Sequence, residues 1–307
     1  MKHLFPDYVE DYNEALVSKG LKQSTLKQYS SDLGKFLNWM DTYKGSVDIN
    51  TLRSLSGQDL ETYVKYLSDN GISDATFRRL LSVLNQFLNH QGVNTGSILN
   101  KPKERPLRSL NEYDFISNEE MAELLISMSK PNSSTARDYL IERNLAIVYL
   151  ARYYGFTPRD ISSITMDKIN LAQKTIEVST NRIIKLKDEH IRYIRIYRNS
   201  IEKTIRPRLR SKDPLFVSFL NRTCSFQFDY ATGMPKGLSI RGIQEMIKDE
   251  VRLAGLRKIS AKHLRNSCII DHLSKGSSIR TIISYFQLSD PFSIRRYKEY
   301  FNNKVNQ

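Results

Sequence analysis

The residues able to do chemistry cluster in the last fifth of the chain, Leu256 to Phe301, which reads LRKISAKHLRNSCIIDHLSKGSSIRTIISYFQLSDPFSIRRYKEYF. Lys262, His263 and Arg265 open a basic helix, and an amphipathic run then stops at Lys275-Gly276. A short helix from Ile279 to Phe286 leads into a Ser-Asp-Pro turn and the basic segment Arg295-Arg296-Tyr297-Lys298. An arginine, neighbouring cations and a tyrosine drawn together by helical hairpins would form a pocket for a phosphodiester. A guanidinium grips phosphate as a fork. A phenol becomes a nucleophile where nearby positive charge lowers its pKa. Tyr297 is one of 17 tyrosines, so its type alone is weak evidence: a packed aromatic is the plain alternative, and Tyr300 is a neighbouring substitute.

Such a site needs a scaffold, and 307 residues leave room for two ordinary domains. The composition, 40% hydrophobic and 26% charged, is that of a soluble globular protein. A formal net charge of +14 points to a polyanionic partner, because cations that displace counterions from phosphates drive nucleic-acid binding. A merely basic protein is the bland reading; the clustering of the basic residues argues against it. Cys224 and Cys268 have neither metal-ligand spacing nor the number for a disulfide framework, which fits a reducing cytosol. The start, MKHLFPDYVEDYNE, turns acidic where a signal peptide would be apolar, and no run approaches the ~20 apolar residues of a membrane span. A cytoplasmic, nucleoid-associated protein with no membrane partner is expected.

Residues 5 to 92 read as four helices. The first runs from Tyr8 to Ser18; the others are capped by Ser24, Ser56 and Ser73, and each carries apolar residues at spacings of three and four. Arg78 and Arg79 lie mostly off the apolar side of the fourth, as solvated surface or as contacts to a DNA backbone. Prolines and cations without periodicity mark residues 101–114 as a linker between a helical domain, 1–100, and a second domain, 115–307. In the second domain Ser117 opens a helix by a capping box, and another helix runs from about Arg137 to Tyr154. Thr157-Pro158-Arg159-Asp160 is a further helix start, with Thr157 as N-cap and Pro158 at the first helical position. Lys174 to Val178 and Ile191 to Ile196 read as strands, joined by a long turn holding Arg182, Lys185 and Lys187. Arg192, Arg195, Arg198, Arg206, Arg208 and Arg210 follow on a strand-to-helix stretch; Phe216 to Gly237 reads as a loop and Leu238 to Ala254 as an amphipathic helix.

The C-terminal segment resembles the end of the tyrosine recombinase (phage integrase) family, whose pattern is H-x-x-R-H, then L-G-H, then a nucleophilic Tyr. Arg265 falls on the arginine of that pattern and Tyr297 on the tyrosine. Lys262 and Asn266 fall on the two histidines of the first box, and Leu288, within Phe286-Gln287-Leu288, on the histidine of the second. GFTPRDISSITMDKI resembles the family's first arginine box, G-L-R-x-S-E-L, and puts Thr157 where the arginine belongs, with Arg159 two residues on. The helical N-terminal part resembles the family's core-binding domain, through Ser24-Thr25, Tyr29, Asp32-Leu33 and Phe36-Leu37 and through ATFRRLLSVLNQF from Ala75.

The resemblance implies a mainly α fold with a small antiparallel β-sheet: an N-terminal four-helix SAM-like core-binding domain and a C-terminal catalytic-type domain, closing on double-stranded DNA as a C-shaped clamp. It implies two arginines holding a phosphate while tyrosine attacks to give a 3′-phosphotyrosyl link, with no metal or other cofactor. A hairpin lysine, Lys185 or Lys187, would protonate the leaving oxygen. Remnant catalytic positions are Tyr297, Arg265 and Lys262, and DNA contacts would come from Arg78, Arg79, Arg159, Arg182, Lys185, Lys187, Lys262, His263, Arg265, Arg295 and Arg296. Losing one transition-state donor commonly costs about 10²–10³ in rate, and here Thr157 and Leu288 replace two. Lys262 is tolerable, since some relatives have lysine there.

Two functions therefore stand side by side. One is a sequence-specific DNA-binding protein without cleavage, a prophage-type transcriptional repressor or a recombination regulator. It would self-associate on DNA and be released by a regulatory protein or peptide antagonist. The other is an active recombinase in which Arg159 and Lys262 restore the charge, although Arg159 would lie about 200° round a helix from Thr157. Only ten residues follow Tyr297, so exchange of a long last helix between subunits is not expected.

Overall fold

Ser56, Ser73 and Ser117 each precede an apolar run of helical period, and each caps a helix by accepting a backbone N–H three residues on. The computed structural model describes residues 5–94, 96, 108–132, 134–179, 182–288 and 292–305. Contacts divide the chain into two units, Met1–Pro106 and Leu107–Gln307.

The first unit holds α1 (Asp7–Ser18), α2 (Gln23–Lys44), α3 (Ile49–Arg53), α4 (Gly57–Asp69) and α5 (Asp74–His90). The expected helices are there, and α3 is an additional single turn, capped by Asp48 through the amides of Asn50 and Thr51. Ser24 is not a cap: Lys22 in extended conformation takes that place, its carbonyl accepting from Thr25 and Leu26. Phe36, Leu60, Tyr63, Leu84, Phe87 and Leu88 fill the core. Arg79 spends its fork on buried Asp32, with Nε and a terminal nitrogen at 2.8 and 3.0 Å, and so ties α5 to α2. Arg78 stays exposed.

In the second unit, residues 108–114, placed in the linker by composition, are built into the fold. Leu110 is buried, Arg108 pairs with Asp114 at 2.7 Å, and a 3₁₀ turn covers Glu112–Asp114. Then come α6 (Asn118–Ser129), α7 (Thr135–Asp138) and α8 (Ile141–Tyr154). The helix expected from Arg137 is thus interrupted at Tyr139 and Leu140. Next are α9 (Pro158–Ser162), β1 (Ile169–Asn170), β2 (Thr175–Ser179), β3 (Arg182–Lys185) and α10 (Asp188–Ser200). Two small hairpins, β4 (Phe219–Leu220) with β5 (Ser225–Phe226) and β6 (Phe228–Asp229) with β7 (Met234–Pro235), occupy what reads as a loop. The chain ends with α11 (Ile240–Leu253), α12 (Ala261–Ser274), α13 (Ile279–Phe286) and α14 (Phe292–Val305). Helix α8 is buried nearly all round and packs against α6, α10, α11 and α12. No helix among the described residues is long and apolar enough to cross a membrane.

The strand expected at Ile191–Ile196 is instead part of α10. Its buried residues, Ile191, Ile194 and Tyr197, recur every three, and Ile201 continues the same face. The partner of β2 in the antiparallel sheet β1-β2-β3 is therefore β3, paired from Ser179↔Arg182 to Thr175↔Lys185. The hairpin connection is short rather than long. Arg198, Arg206 and Arg208, expected on a strand-to-helix stretch, staple the segment after α10 by bonds to Pro207 O, Ile201 O and Asp213.

Helices α8 and α10 meet at His190, which is 3% exposed and packs against the rings of Tyr149 and Tyr153, with Tyr154 edge-on. The Tyr154 hydroxyl accepts from the Lys187 amide and lies 2.8 Å from Nδ1 of His190. Nε2 faces Glu189 at 3.3 Å. Burial above all lowers the His190 pKa to about 4. The folded state thus favours neutral His190, so the stabilisation is complete above the unfolded value near 6.5 and is lost as pH falls toward 4. Denaturant titrations should show ~2–3 kcal/mol of acid-side loss in that window that His190→Gln removes; parallel curves for the two proteins would refute it.

Candidate functional site

The site is assembled from the ends of α8, α9, α12, α13 and α14. Gly155 closes α8 in the left-handed region, φ +64, and a β-carbon there would overlap the Phe286 ring, so glycine is required on both counts. Thr157 then starts α9 as read from the sequence: its amide donates to Asp160 at 2.8 Å and its hydroxyl accepts from the Asp160 amide at 3.1 Å. A cavity of about 270 Å³ opens beside it, lined by Thr157, Pro158, Gln244, Ser260, Lys262 and Arg265. Three positions singled out by the sequence meet here. Arg159 is exposed and does not line the cavity, so it does not replace the missing guanidinium. Gln244, from α11, is a polar lining residue that sequence reading missed.

Arg265 is held by backbone. One terminal nitrogen donates to Gly155 O and the other to Phe286 O at 2.7 Å, while the guanidinium carbon stands 5.2 Å from the Phe286 ring centre. Burial, then the charge of Arg182, lower its pKa from the ordinary arginine value. Arg182 is the second buried cation. It is 4% exposed, donates to Tyr154 O at 3.0 Å, approaches Asp160 at 3.8 Å and lies 5.2 Å from the rings of Phe156 and Tyr285. The acceptors of the two arginines, Tyr154 O and Gly155 O, are consecutive carbonyls at the negative end of α8. Two guanidinium groups thus share one nearby carboxylate, Asp160, which leaves local positive charge for an anion.

Tyr297 reaches the site from α14, and its hydroxyl donates to Oδ1 of Asn266 at 2.7 Å. Asn266 is 2% exposed, and its Nδ2 donates to Asp114 O at 2.9 Å. That second bond fixes which end of the amide faces the tyrosine: Asn266 presents an acceptor, which holds a neutral phenol and repels a phenolate. Burial raises the Tyr297 pKa, with Arg265 and Arg296 pulling the other way. Leu288 packs against an apolar cluster of Cys268, Ile269, Ile282, Phe286 and Ile294 and offers no polar group. Gln287 before it takes the left-handed φ of +50 that closes α13.

The other expected residues scatter. His263 caps its own helix, with Nδ1 accepting from the Ser260 amide at 3.0 Å. Lys262 is exposed at the cavity rim. Lys185 pairs with Thr175, at the far end of β3 from the connection, and Lys187 precedes α10 at 3.7 Å from Glu189, so neither stands at the turn. Residues 180–181 of the turn lie outside the described residues. Arg295 pairs with Glu299 at 2.8 Å. Tyr300 stacks on Phe115, ring centres 4.5 Å apart. Arg296 Nε is buried with no hydrogen-bond partner among the described residues. The part of Asn266 was detectable in principle, since it occupies the second histidine position of the first box.

The chain is similar to known proteins over most of its length. The phage integrase N-terminal SAM-like domain matches residues 9–90. The chain is 25% identical over 309 residues to tyrosine recombinase XerD of Staphylococcus saprophyticus, covering 97% of this chain and 96% of that protein. It is 25% identical over 286 residues to XerD of Listeria monocytogenes, covering 90% and 88%. Among solved structures, the Tn1549 transposon integrase in complex with transposon right end DNA is similar at a TM-score of 0.67 and 15% identity, over 94% of each chain. XerH recombinase bound to difH substrate gives 0.62 and 18%, over 94% of this chain and 79% of that one.

Proposed function

We propose that this chain, which belongs to the tyrosine recombinase family, binds a specific double-stranded DNA site without cutting it. It would act as a regulator of transcription or of recombination. The observation that carries this reading is the state of the tyrosine: Tyr297 donates its proton to an amide oxygen fixed by a backbone bond, in a setting whose burial raises its pKa. The groups that would offset that are reduced, since position 157 is a helix cap and position 288 an apolar contact. What remains suits binding. Arg265, Lys262 and Gln244 line a cavity with room for a phosphate group, in a strongly basic chain.

An active recombinase is the competing reading. It draws on the buried guanidinium of Arg182 near Arg265, and on the relatives, which are named tyrosine recombinases over nearly their full length. The two separate on a duplex site selected by the protein from a random-sequence pool and nicked to trap a covalent complex. The expected result is a specific mobility shift with no adduct on a denaturing gel. An adduct that disappears in Tyr297→Phe would establish cleavage instead, and equal affinity for all duplexes would remove the binding reading as well.

A further inference from the structure

One group lining the cavity beside Thr157 is left over when a phosphate is placed there. Lys262 and Arg265 are cations suited to an anion. The Thr157 hydroxyl is taken by the Asp160 amide, and the Ser260 hydroxyl lies 2.8 Å from Nδ1 of His263. Gln244 is neutral, exposed and without a side-chain partner among the described residues. Its amide presents a donor and an acceptor side by side. The donor could serve a phosphate. The acceptor has a use only against a second donor, which a phosphodiester lacks and a base edge has.

Helix α11 carries Gln244 on its outer side. Ile243, Met246, Ile247 and Val251 face the core, while Arg241, Gln244, Glu245 and Lys248 recur at helical spacing on the exposed side. That side is not a strip of free cations. Glu245 stands 3.5 Å from Lys248, and Asp249 stands 3.5 Å from Arg252, so these charges cancel in pairs. Its uncharged hydrogen-bonding group next to the cavity is Gln244.

Contacts to phosphate position a protein on a duplex, and contacts to base edges specify the sequence. A phosphate held by Arg265 and Lys262 brings the bases beside it to the rim that Gln244 occupies. The major groove admits an α-helix, and there a glutamine amide matches N6 and N7 of adenine. We infer that Gln244 is a specificity-determining residue, reading an adenine next to the phosphate held in the cavity. This rests on the reading of the chain as a sequence-specific duplex binder, and it is independent of whether Tyr297 cuts.

The test uses the full chain and the duplex it selects from a random-sequence pool. The base pairs are replaced one at a time, and affinities are measured by fluorescence anisotropy at fixed salt for the parent, Gln244→Ala and Gln244→Glu. In the parent, one A·T pair should discriminate about tenfold against its replacements. Gln244→Ala should lose that discrimination at this pair and keep it at the others. Gln244→Glu should move the preference there toward C·G, because a carboxylate accepts from N4 of cytosine. Each protein is compared with itself on different duplexes, so a general loss of affinity does not imitate the result. Discrimination that survives at every pair in Gln244→Ala overturns the inference and leaves the binding reading standing. A loss spread evenly over all pairs also overturns it, since Gln244 would then act on phosphate or on the fold. A parent that prefers no duplex removes the inference together with the binding reading.

Discussion

Arg265→Ala should weaken both the fold and DNA binding, and by more than any other single cation of the second unit. In the fold, its fork joins Gly155 O at the end of α8 to Phe286 O at the end of α13. Removing it strands two helix-end carbonyls around the close approach of Gly155 and Phe286. Unmet buried acceptors cost ~1–3 kcal/mol each, so a loss of ~2–4 kcal/mol in denaturant titration is expected. In binding, the half-buried cation lining the cavity is gone, and affinity by fluorescence anisotropy at fixed salt should drop at least tenfold. The salt slope should fall by about one. Two controls separate the effects. Lys262→Ala, at the exposed rim, should lose affinity with unchanged stability. Arg265→Lys should keep part of the affinity but not the stability, since one ammonium cannot span two carbonyls held for a planar fork. If Arg265→Ala binds DNA as tightly as the parent, the cavity is not a phosphate site.

That dual role shows where sequence suffices and where it does not. Thr157 as a helix cap was legible because a capping box is closed within four residues. The α13 start at Ile279 and the apolar faces of α4 and α5 are local in the same way. The run from Ile191 to Ile196 misled because β-branched and aromatic residues suit a strand, while burial against α8 imposes the helical period. Arg79 and Arg182 read as surface cations because nothing nearby in sequence discloses their partners. Asp32 lies 47 residues from Arg79, and Tyr154 lies 28 from Arg182. Asn266 falls on the second histidine of the first box by resemblance, but its effect depends on the Asp114 carbonyl, 152 residues away, which decides that it presents oxygen rather than nitrogen to Tyr297.

If the site fails to cleave for the reasons given, restoring the missing groups should restore cleavage. The triple variant Thr157→Arg, Asn266→His, Leu288→His returns a guanidinium beside Arg265, removes the fixed acceptor on Tyr297 and places an imidazole where an apolar contact stands. The losses are modest: a helix cap of ~1 kcal/mol and part of an apolar cluster. Each restored transition-state donor is worth about 10²–10³ in rate, so the triple should form a covalent adduct with the nicked duplex where the parent forms none. Because such groups act as a unit, the single variants should gain far less than a third of the effect each. Thr157→Arg alone still leaves Tyr297 hydrogen-bonded to Asn266, and Asn266→His alone releases the phenol into a pocket with one arginine too few. Adduct formation that survives the further change Tyr297→Phe would place the nucleophile elsewhere. A triple variant that folds and binds DNA yet forms no adduct would mean that position 157 and the Asn266 bond are not what holds cleavage back.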